Sequence, residues 1–264
     1  MPEPDAAVAI LRTTGPDSAI LLMRRTERAD DAWSGHWSLP GGRRDASDPD
    51  PLHTALRELH EECGIRLSRG QMSAALPPAI ARRSAGPFLL VAPFVFEVET
   101  PPATAPDARE VAGTVWIPHS TLCDPARHSL QPVPGMPPEM LFPTIALPVV
   151  PLWGFTYRLL ADWLEVSPRD RAACGFDVAR MSLDFLLSHG LSLERSWQPA
   201  HSEGAAGPPA RVAQVRGPIP VDALRAYLSA PGAHAAKVNR IEARPARIRI
   251  HGLAFEEYVI EAAG

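Results

Sequence analysis

Hydrophobic and polar positions alternate in short runs near the start of the chain, a pattern that predicts β-strands. Two such runs, 7–11 and 19–25, flank a cluster of Thr, Gly, Pro, Asp and Ser, which is typical of a hairpin turn. Further strands are predicted at 88–98 and 114–117, and Pro93 favours an edge position or a bulge in the first of these. The first half of the chain is therefore expected to form a sheet.

The clearest helix is predicted over residues 51–63. Asp50 is a favourable N-cap, Pro51 suits the first helical position, and Gly64 suits a left-handed C-terminal cap. Apolar side chains recur at the spacing that places them on one helical face: Leu52, Ala55, Leu56, Leu59 and Cys63. This face is expected to be buried.

The second half of the chain contains two proline-rich or glycine-rich breaks. Residues 131–151 hold seven prolines, which disfavour a regular helix or a central strand and predict an extended wrap. Helices are predicted at 153–166 and 178–189. A Pro, Gly, Ala and Ser-rich stretch at 198–210 is typical of a linker. We therefore expect a domain over residues 1–197.

After this linker, residues 211–264 predict a strand, a helix, and a further strand or hairpin, which would form a small α+β extension. Three roles stay open for this extension: completing the domain, covering the site, or mediating a homodimer.

Composition narrows the classes of partner and compartment. The chain has 264 residues, 45% of them hydrophobic, and a net charge of −4, which gives no broad positive field for a nucleic-acid partner. Its three scattered cysteines indicate a reducing compartment. The longest apolar run, 145–155, is short and broken by prolines, and no secretory signal is apparent. The expectation is a cytoplasmic protein without a membrane partner.

The polar face of the helix at 51–63 carries Arg57 and three glutamates, Glu58, Glu61 and Glu62. Carboxylates three and four residues apart project to the same side and repel one another. A divalent cation such as Mg²⁺ or Mn²⁺ would compensate this charge, since both prefer hard oxygen ligands. The alternative is a solvated acidic face in which Arg57 pairs with Glu61.

The residues around this helix resemble the signature of the Nudix hydrolases. A turn at 39–42, Leu-Pro-Gly-Gly, is followed by five residues, Asp48, eight residues, and then Arg-Glu-Leu-His-Glu-Glu-Cys-Gly-Ile at 57–65. Asp48 stands where the generic signature has Glu, and one extra residue precedes the arginine. Both features, and the stretches 21–26 and 33–42, resemble the coenzyme A pyrophosphatase branch.

Segments further along the chain extend this resemblance over about residues 7–191. Residues 109–118 are similar to the Glu-Val and Trp-x-Pro segment of Nudix hydrolases, and 152–156 to a late run in coenzyme A pyrophosphatases. The resemblance implies an α/β fold, a Nudix-type α/β/α sandwich with a mixed sheet. The extension at 211–264 lies outside it.

The resemblance also implies a reaction and its residues. The reaction is hydrolysis of the phosphoanhydride in a nucleoside diphosphate derivative, a small molecule. Mg²⁺ or Mn²⁺ is expected to be held by Glu58, Glu61, Glu62 and the backbone carbonyl of Gly41, with Arg57 in a supporting role. Glu58 and Glu110 both remain candidates for the general base.

Several residues flank the expected site and are candidates for binding the anionic substrate: Arg24, Arg25, Gly42 and Arg43. For the three arginines, an ordinary surface position without a role in binding is an equally good interpretation. Trp33 and Trp37 are suited to stack on an adenine or to pack beneath the loop. Asp48 is expected to form a salt bridge within the loop and helix rather than bind metal.

The resemblance favours coenzyme A or acyl-coenzyme A as substrate, cleaved to 4′-phosphopantetheine and 3′,5′-ADP. The alternatives are a Nudix hydrolase for ADP-ribose, a nucleotide sugar or another nucleoside diphosphate derivative, and a non-catalytic Nudix-derived ligand-binding protein. The presence of all three glutamates favours an enzyme.

Overall fold

The computed structural model describes residues 3–28, 34–81, 88–199 and 210–263. They form two compact units. The first unit comprises Met1–Leu122 and Leu147–Leu159, and the second comprises Cys123–Ala146 and Leu160–Gly264.

The strands of the first half are short and lie close together in sequence: β1 (Ala6–Thr13), β2 (Ala19–Arg25), β3 (Trp37–Ser38), β4 (Gly41–Arg43), β5 (Met72–Ala75), β6 (Ala79–Ala81), β7 (Leu89–Val98) and β8 (Val111–Pro118). The helices of this half are α1 (Pro51–Cys63) and α2 (His119–Cys123). The predicted hairpin strands and the predicted helix at 51–63 are present.

The first unit is built on a mixed sheet with the order β3-β2-β1-β7-β5, to which β4, β6 and β8 add pairs. Strands β1 and β7 are parallel, whereas the other pairs are antiparallel. Helix α1 packs on this sheet through the apolar face that its periodicity predicts, with Leu52, Ala55, Leu59 and Cys63 buried against Leu21 and other sheet residues. The predicted α/β class and mixed sheet are confirmed.

The remaining strands are β9 (His128–Gln131), β10 (Met140–Ile145), β11 (Leu152–Trp153), β12 (Ser192–Pro199), β13 (Arg211–Arg216), β14 (Val238–Arg244), β15 (Arg247–Gly252) and β16 (Glu257–Ala262). The remaining helices are α3 (Gly154–Trp163), α4 (Cys174–Ser188) and α5 (Val221–Leu228). The second unit orders its strands β10-β14-β15-β16-β13-β12, with β9 beside β10. Helices α4 and α5 pack on one face of this sheet through Val178, Leu186 and Leu224.

The structure divides the chain differently from the domains expected at 1–197 and 211–264. Strand β12, which precedes the expected linker, pairs with β13, which follows it, and β10 pairs with β14. The extension therefore shares one sheet and one core with earlier residues. Of the expected linker at 198–210, residues 200–209 lie outside the described residues, and its first two residues belong to β12. Turn-forming composition shows where a chain can bend, but it does not show which core the flanking strands join.

Pro93 and Pro143 lie in strand positions that the sequence does not predict. Strand β7 is an interior strand that runs through Pro93, at the point where its partner changes from β6 to β5. Strand β10 lies inside the proline-rich segment expected to be an extended wrap. Its residue Pro143 pairs with β9, beyond the two residues that pair with β14. A missing N–H is tolerated where a strand changes partners.

Within the described ranges, no helix is both long and apolar enough to cross a bilayer.

Candidate active site

Local sequence sets both ends of α1 and so fixes the direction of its polar face. Asp50 Oδ1 accepts a hydrogen bond of 2.8 Å from the N–H of His53, which caps the helix. Gly64 adopts a left-handed conformation with φ of 72°, and its N–H donates to the carbonyl of His60. The left-handed conformation does not continue the helix, which therefore ends here. Glycine suits this position because a residue with a Cβ is strained at this φ.

Glu62 is the most deeply placed of the three glutamates, with 4% of its surface exposed. Its Oε2 accepts a hydrogen bond of 2.8 Å from the N–H of Gly41. Burial raises the pKa of Glu62 to about 8, and the nearby charges of Glu58 and Glu110 act in the same direction. The Gly41 hydrogen bond and the charge of Arg25 oppose this rise. Glu62 is thus a buried carboxylate whose charge needs a cation nearby.

The Glu58 carboxylate lies against the backbone of Gly42. A Cβ at residue 42 would overlap Oε1 of Glu58, so this close approach requires glycine. The Glu58 side chain is 14% exposed, and burial raises its pKa above the usual range, with Glu61 and Glu110 adding repulsion. The Gly-Gly turn therefore brings backbone close to two carboxylates, that of the buried Glu62 and that of the partly buried Glu58.

The atoms that a Cβ would meet differ between Gly42 and Gly41, so alanine substitutions at the two positions are expected to have different effects. Gly42→Ala is expected to displace the Glu58 carboxylate and to lower kcat about tenfold or more, because misplacement of a reacting group is costly. The obstacle is the mobile end of a side chain, so the free energy of unfolding should change by less than about 1 kcal/mol. Initial rates and urea denaturation measure the two effects.

Gly41→Ala is the matched comparison, since its Cβ would overlap the backbone of Ala7 and Val8. It should lower the free energy of unfolding by about 2 kcal/mol or more, because backbone cannot move aside cheaply. If Gly42→Ala retained full kcat, the Glu58 carboxylate would not need its position beside the turn.

Asp48 anchors the loop that precedes α1. Its side chain is fully buried and accepts hydrogen bonds from Thr54 Oγ1 at 2.9 Å and from the N–H of Asp45 at 3.0 Å. Arg57 approaches it with Nε at 3.1 Å and Nη2 at 3.0 Å, and His53 Nδ1 lies 2.9 Å away. The Arg57 hydrogen bonds hold the pKa of Asp48 well below its usual range. Asp48 therefore acts within the loop and helix, as the sequence predicts.

Arg57 connects this anchor to the carboxylates. Its Nη1 lies 3.0 Å from Oε1 of Glu58 and 2.8 Å from Oε2 of Glu61. Its Nη2 also donates to the carbonyl of Arg43 at 3.2 Å. Because one planar guanidinium contacts three carboxylates, Arg57 holds the ends of the loop and the glutamates in a fixed relation.

Glu110 is the last residue of a tight turn and immediately precedes β8. Its N–H donates to the carbonyl of Asp107 at 2.9 Å, and its carbonyl accepts from the N–H of Thr26 at 2.8 Å. The residue is exposed, and its charge raises the pKa of both Glu58 and Glu62. The charge of Glu110 therefore acts on two glutamates of α1.

The other predicted site residues divide between the site and its surroundings. Arg25 follows Leu21 and Met23 on the sheet face that packs against α1, and its charge acts on Glu62. Arg24 alternates to the opposite face and lies 3.7 Å from Glu27. Arg43 is exposed beside α1.

Of the two predicted tryptophans, Trp37 lies within the described residues. The Trp37 side chain is buried, and its Nε1 donates to the carbonyl of Pro148 at 3.0 Å, as the packing alternative predicts. Trp33 lies outside the described residues.

The chemistry of these residues fits a divalent cation, although the side chains are not arranged as a finished ligand set. Among the described residues, no three His, Cys, Asp or Glu side chains converge as a metal site. The buried Glu62 and the partly buried Glu58 are oxygen donors whose charges repel one another, and the Arg57 guanidinium contacts Glu58. Hard oxygen donors with excess negative charge are the ligands that Mg²⁺ and Mn²⁺ prefer.

Sequence reasoning missed three contacts around the site. Thr54 and His53 both bind Asp48, and they lie at i+6 and i+5 from it, on the first turn of the predicted helix. The spacing of His53 and Thr54 from Asp48 is a sequence feature from which these two contacts can be predicted. The contact of Arg28 Nη2 with the carbonyl of Arg109, at 2.6 Å, joins residues 81 positions apart, and no local pattern predicts it.

Comparisons with known proteins show what this chain is similar to. The family model described as NUDIX domain matches residues 2–135, about half of the chain. An uncharacterised protein of Schizosaccharomyces pombe is 36% identical over 110 residues, which cover 40% of this chain and 33% of that protein. A mitochondrial coenzyme A diphosphatase of Mus musculus is 37% identical over 67 residues, 25% of this chain and 32% of that protein.

Other relatives carry different names. An m7GpppN-mRNA hydrolase of Xenopus laevis is 30% identical over 124 residues, 43% of this chain and 41% of that protein. A solved Nudix hydrolase from M. smegmatis is 28% identical with a TM-score of 0.36, over 45% of this chain and 73% of that one. The chain spans about a third of the length of the first curated relatives it matches. The family match over half of the chain shows that this chain belongs to the Nudix family.

Proposed function

We propose that the chain is a metal-dependent pyrophosphohydrolase that cleaves coenzyme A or acyl-coenzyme A to 4′-phosphopantetheine and 3′,5′-ADP. The observation that carries metal-dependent hydrolysis is a pair of carboxylates, the buried Glu62 and the partly buried Glu58, held against the Gly41-Gly42 turn. The choice of coenzyme A rests on Asp48 and its spacing to Arg57, and on relatives named as coenzyme A diphosphatases.

The carboxylates supply the charge that a cation needs. Glu58, Glu61 and Glu62, with the carbonyl of Gly41, would hold Mg²⁺ or Mn²⁺. Such an ion, when bound, neutralises the oxygens of a diphosphate and lowers the pKa of water. Arg57 keeps Glu58 and Glu61 oriented through its Nη1 contacts of 3.0 and 2.8 Å.

Proton transfer is assigned to Glu110 rather than to Glu58. The Glu58 carboxylate is engaged by Arg57 and packed on Gly42, whereas Glu110 is exposed on a turn beside the glutamates. An exposed carboxylate can accept the proton of the attacking water and release it to solvent. Arg25, on the same sheet face as α1, is positioned to attract the anionic substrate.

A substrate panel tests this proposal. The protein is incubated with Mg²⁺ or Mn²⁺ and coenzyme A, acetyl-coenzyme A, ADP-ribose, a nucleotide sugar and a capped dinucleotide, and products are resolved by chromatography. The expected result is fastest cleavage of coenzyme A or its acetyl derivative, with 3′,5′-ADP as a product. Fast cleavage of ADP-ribose with intact coenzyme A would contradict the substrate assignment. A lack of cleavage of every compound would favour a ligand-binding role.

A further inference from the structure

Thr26 and Arg28, which follow β2, donate hydrogen bonds to three consecutive carbonyl groups in the turn that carries Glu110. The hydroxyl of Thr26 donates to the carbonyl of Ala108 at 3.3 Å, and the Thr26 N–H donates to that of Glu110 at 2.8 Å. Between them, Arg28 Nη2 donates to the carbonyl of Arg109 at 2.6 Å. Hydrogen bonds from a charged donor are the stronger kind. Hydrogen bonds from Thr26 and Arg28 therefore hold the carbonyl groups of residues 108, 109 and 110 in this turn.

The other side of the same turn is bound to the end of α1. The N–H of Asp107 donates to the carbonyl of Glu62 at 3.3 Å, and the N–H of Ala105 donates to that of Cys63 at 2.8 Å. Glu110 therefore lies on a turn that is fixed to α1 on one side and to the residues after β2 on the other. Each contact limits how far its carboxylate can move relative to Glu62.

We propose that Thr26 and Arg28 are positioning residues, which hold the turn so that the Glu110 carboxylate stays beside the glutamates of α1. This inference rests on the proposed function, since it requires Glu110 to accept the proton. Arg28 is exposed, so its contact adds little to stability. A carbonyl contact at this position acts on the shape of the turn, and small displacements of a reacting group are costly in rate.

The test replaces the donors and keeps the bulk of the side chains. Arg28→Met and Thr26→Val remove one donor each, Arg28→Lys restores a donor, and Arg66→Met is the control, because Arg66 is also an exposed arginine of the first unit. We expect Arg28→Met to lower kcat about 10- to 100-fold with little change in KM, and Thr26→Val to lower it less. Arg28→Lys should recover part of the rate, and Arg66→Met should match the wild type.

A double-mutant cycle shows whether Arg28 acts through Glu110. In a Glu110→Gln background, Arg28→Met should lower kcat no further. A full additional loss, or a rise in KM in place of a fall in kcat, would overturn the inference, because Arg28 would then act independently or bind substrate. Amide hydrogen exchange over residues 108–111 gives a readout independent of activity, and it should be faster in Arg28→Met. Unchanged exchange would also overturn the inference.

The cycle separates this inference from the proposed function. If Glu110→Gln kept full kcat while the wild type still cleaved coenzyme A, the positioning role would fail and the hydrolase assignment would stand. If the wild type cleaved no diphosphate, the proposed function itself would fail. Faster amide exchange in Arg28→Met would then still show that the turn is held by Arg28.

Discussion

Glu62→Gln should lower kcat for diphosphate cleavage by about 1,000-fold or more. Glutamine keeps the size of the side chain and still accepts the Gly41 hydrogen bond, but it removes one of the negative charges that would hold the cation. Charge stabilisation by a bound metal is worth several kcal/mol in the transition state, which sets the magnitude. Initial rates at saturating Mg²⁺ or Mn²⁺, compared with wild type, measure the loss.

The same variant should be no less stable than the wild type, which separates lost chemistry from unfolding. The pKa of Glu62 is raised by burial from 4.5 to about 8, so the folded state binds a proton more readily than the unfolded state. The wild type therefore loses stability as pH rises from about 4.5 to 8, and Glu62→Gln should not show this loss. Urea denaturation at pH 6 and pH 9 in the absence of metal tests the difference. Full activity in Glu62→Gln would contradict the assigned role of this carboxylate.

Asp48→Ala should lower the free energy of unfolding by about 3 kcal/mol at pH 7. The Asp48 carboxylate is fully buried and accepts hydrogen bonds from Thr54, Asp45 and Arg57. Removing the carboxylate leaves the buried Thr54 hydroxyl without its acceptor and leaves Arg57 with two carboxylate partners in place of three, which is strongly destabilising. Asp50→Ala is the matched control, since it removes an exposed N-cap of the same helix and should cost only about 1 kcal/mol.

The stability contributed by Asp48 should depend on pH in a defined direction. Its pKa is lower in the folded state than in the unfolded state, because Arg57 stabilises the charged form. The contribution is therefore complete above the unfolded pKa of about 4 and falls as the pH drops below that value. The gap in unfolding free energy between wild type and Asp48→Asn should narrow between pH 5 and pH 3. A gap that stays constant over this range would contradict the ion pair with Arg57.

The parts of the site that could be predicted from sequence are those set by local interactions. Helix α1 has its N-cap, its first-turn proline, its apolar stripe and its terminal glycine within fifteen residues, so its bounds follow from local rules. The spacing of Glu58, Glu61 and Glu62 on that helix then places their side chains on one side. The burial of Glu62 against Gly41 is a tertiary property, and helical spacing alone does not give it.

The parts that could not be predicted depend on contacts between distant segments. Strand β10 pairs with β14, about a hundred residues later, so no pattern around either strand assigns them to one sheet. The composition of residues 198–210 favours bending and so predicts a domain boundary, yet the strands on its two sides, β12 and β13, are neighbours in one sheet. The contacts of Thr26 and Arg28 with the Glu110 turn are non-local in the same way.

The dependence of hydrolysis on added metal tests the central claim most directly. Wild-type protein is treated with EDTA and dialysed, and the cleavage of coenzyme A is followed by phosphorus NMR while Mg²⁺ or Mn²⁺ is added back. We predict no measurable cleavage without metal and a saturable recovery with it, since the proposed role of the carboxylates of α1 is to hold an ion that would neutralise the diphosphate. Cleavage at an unchanged rate in the EDTA-treated protein would contradict the claim.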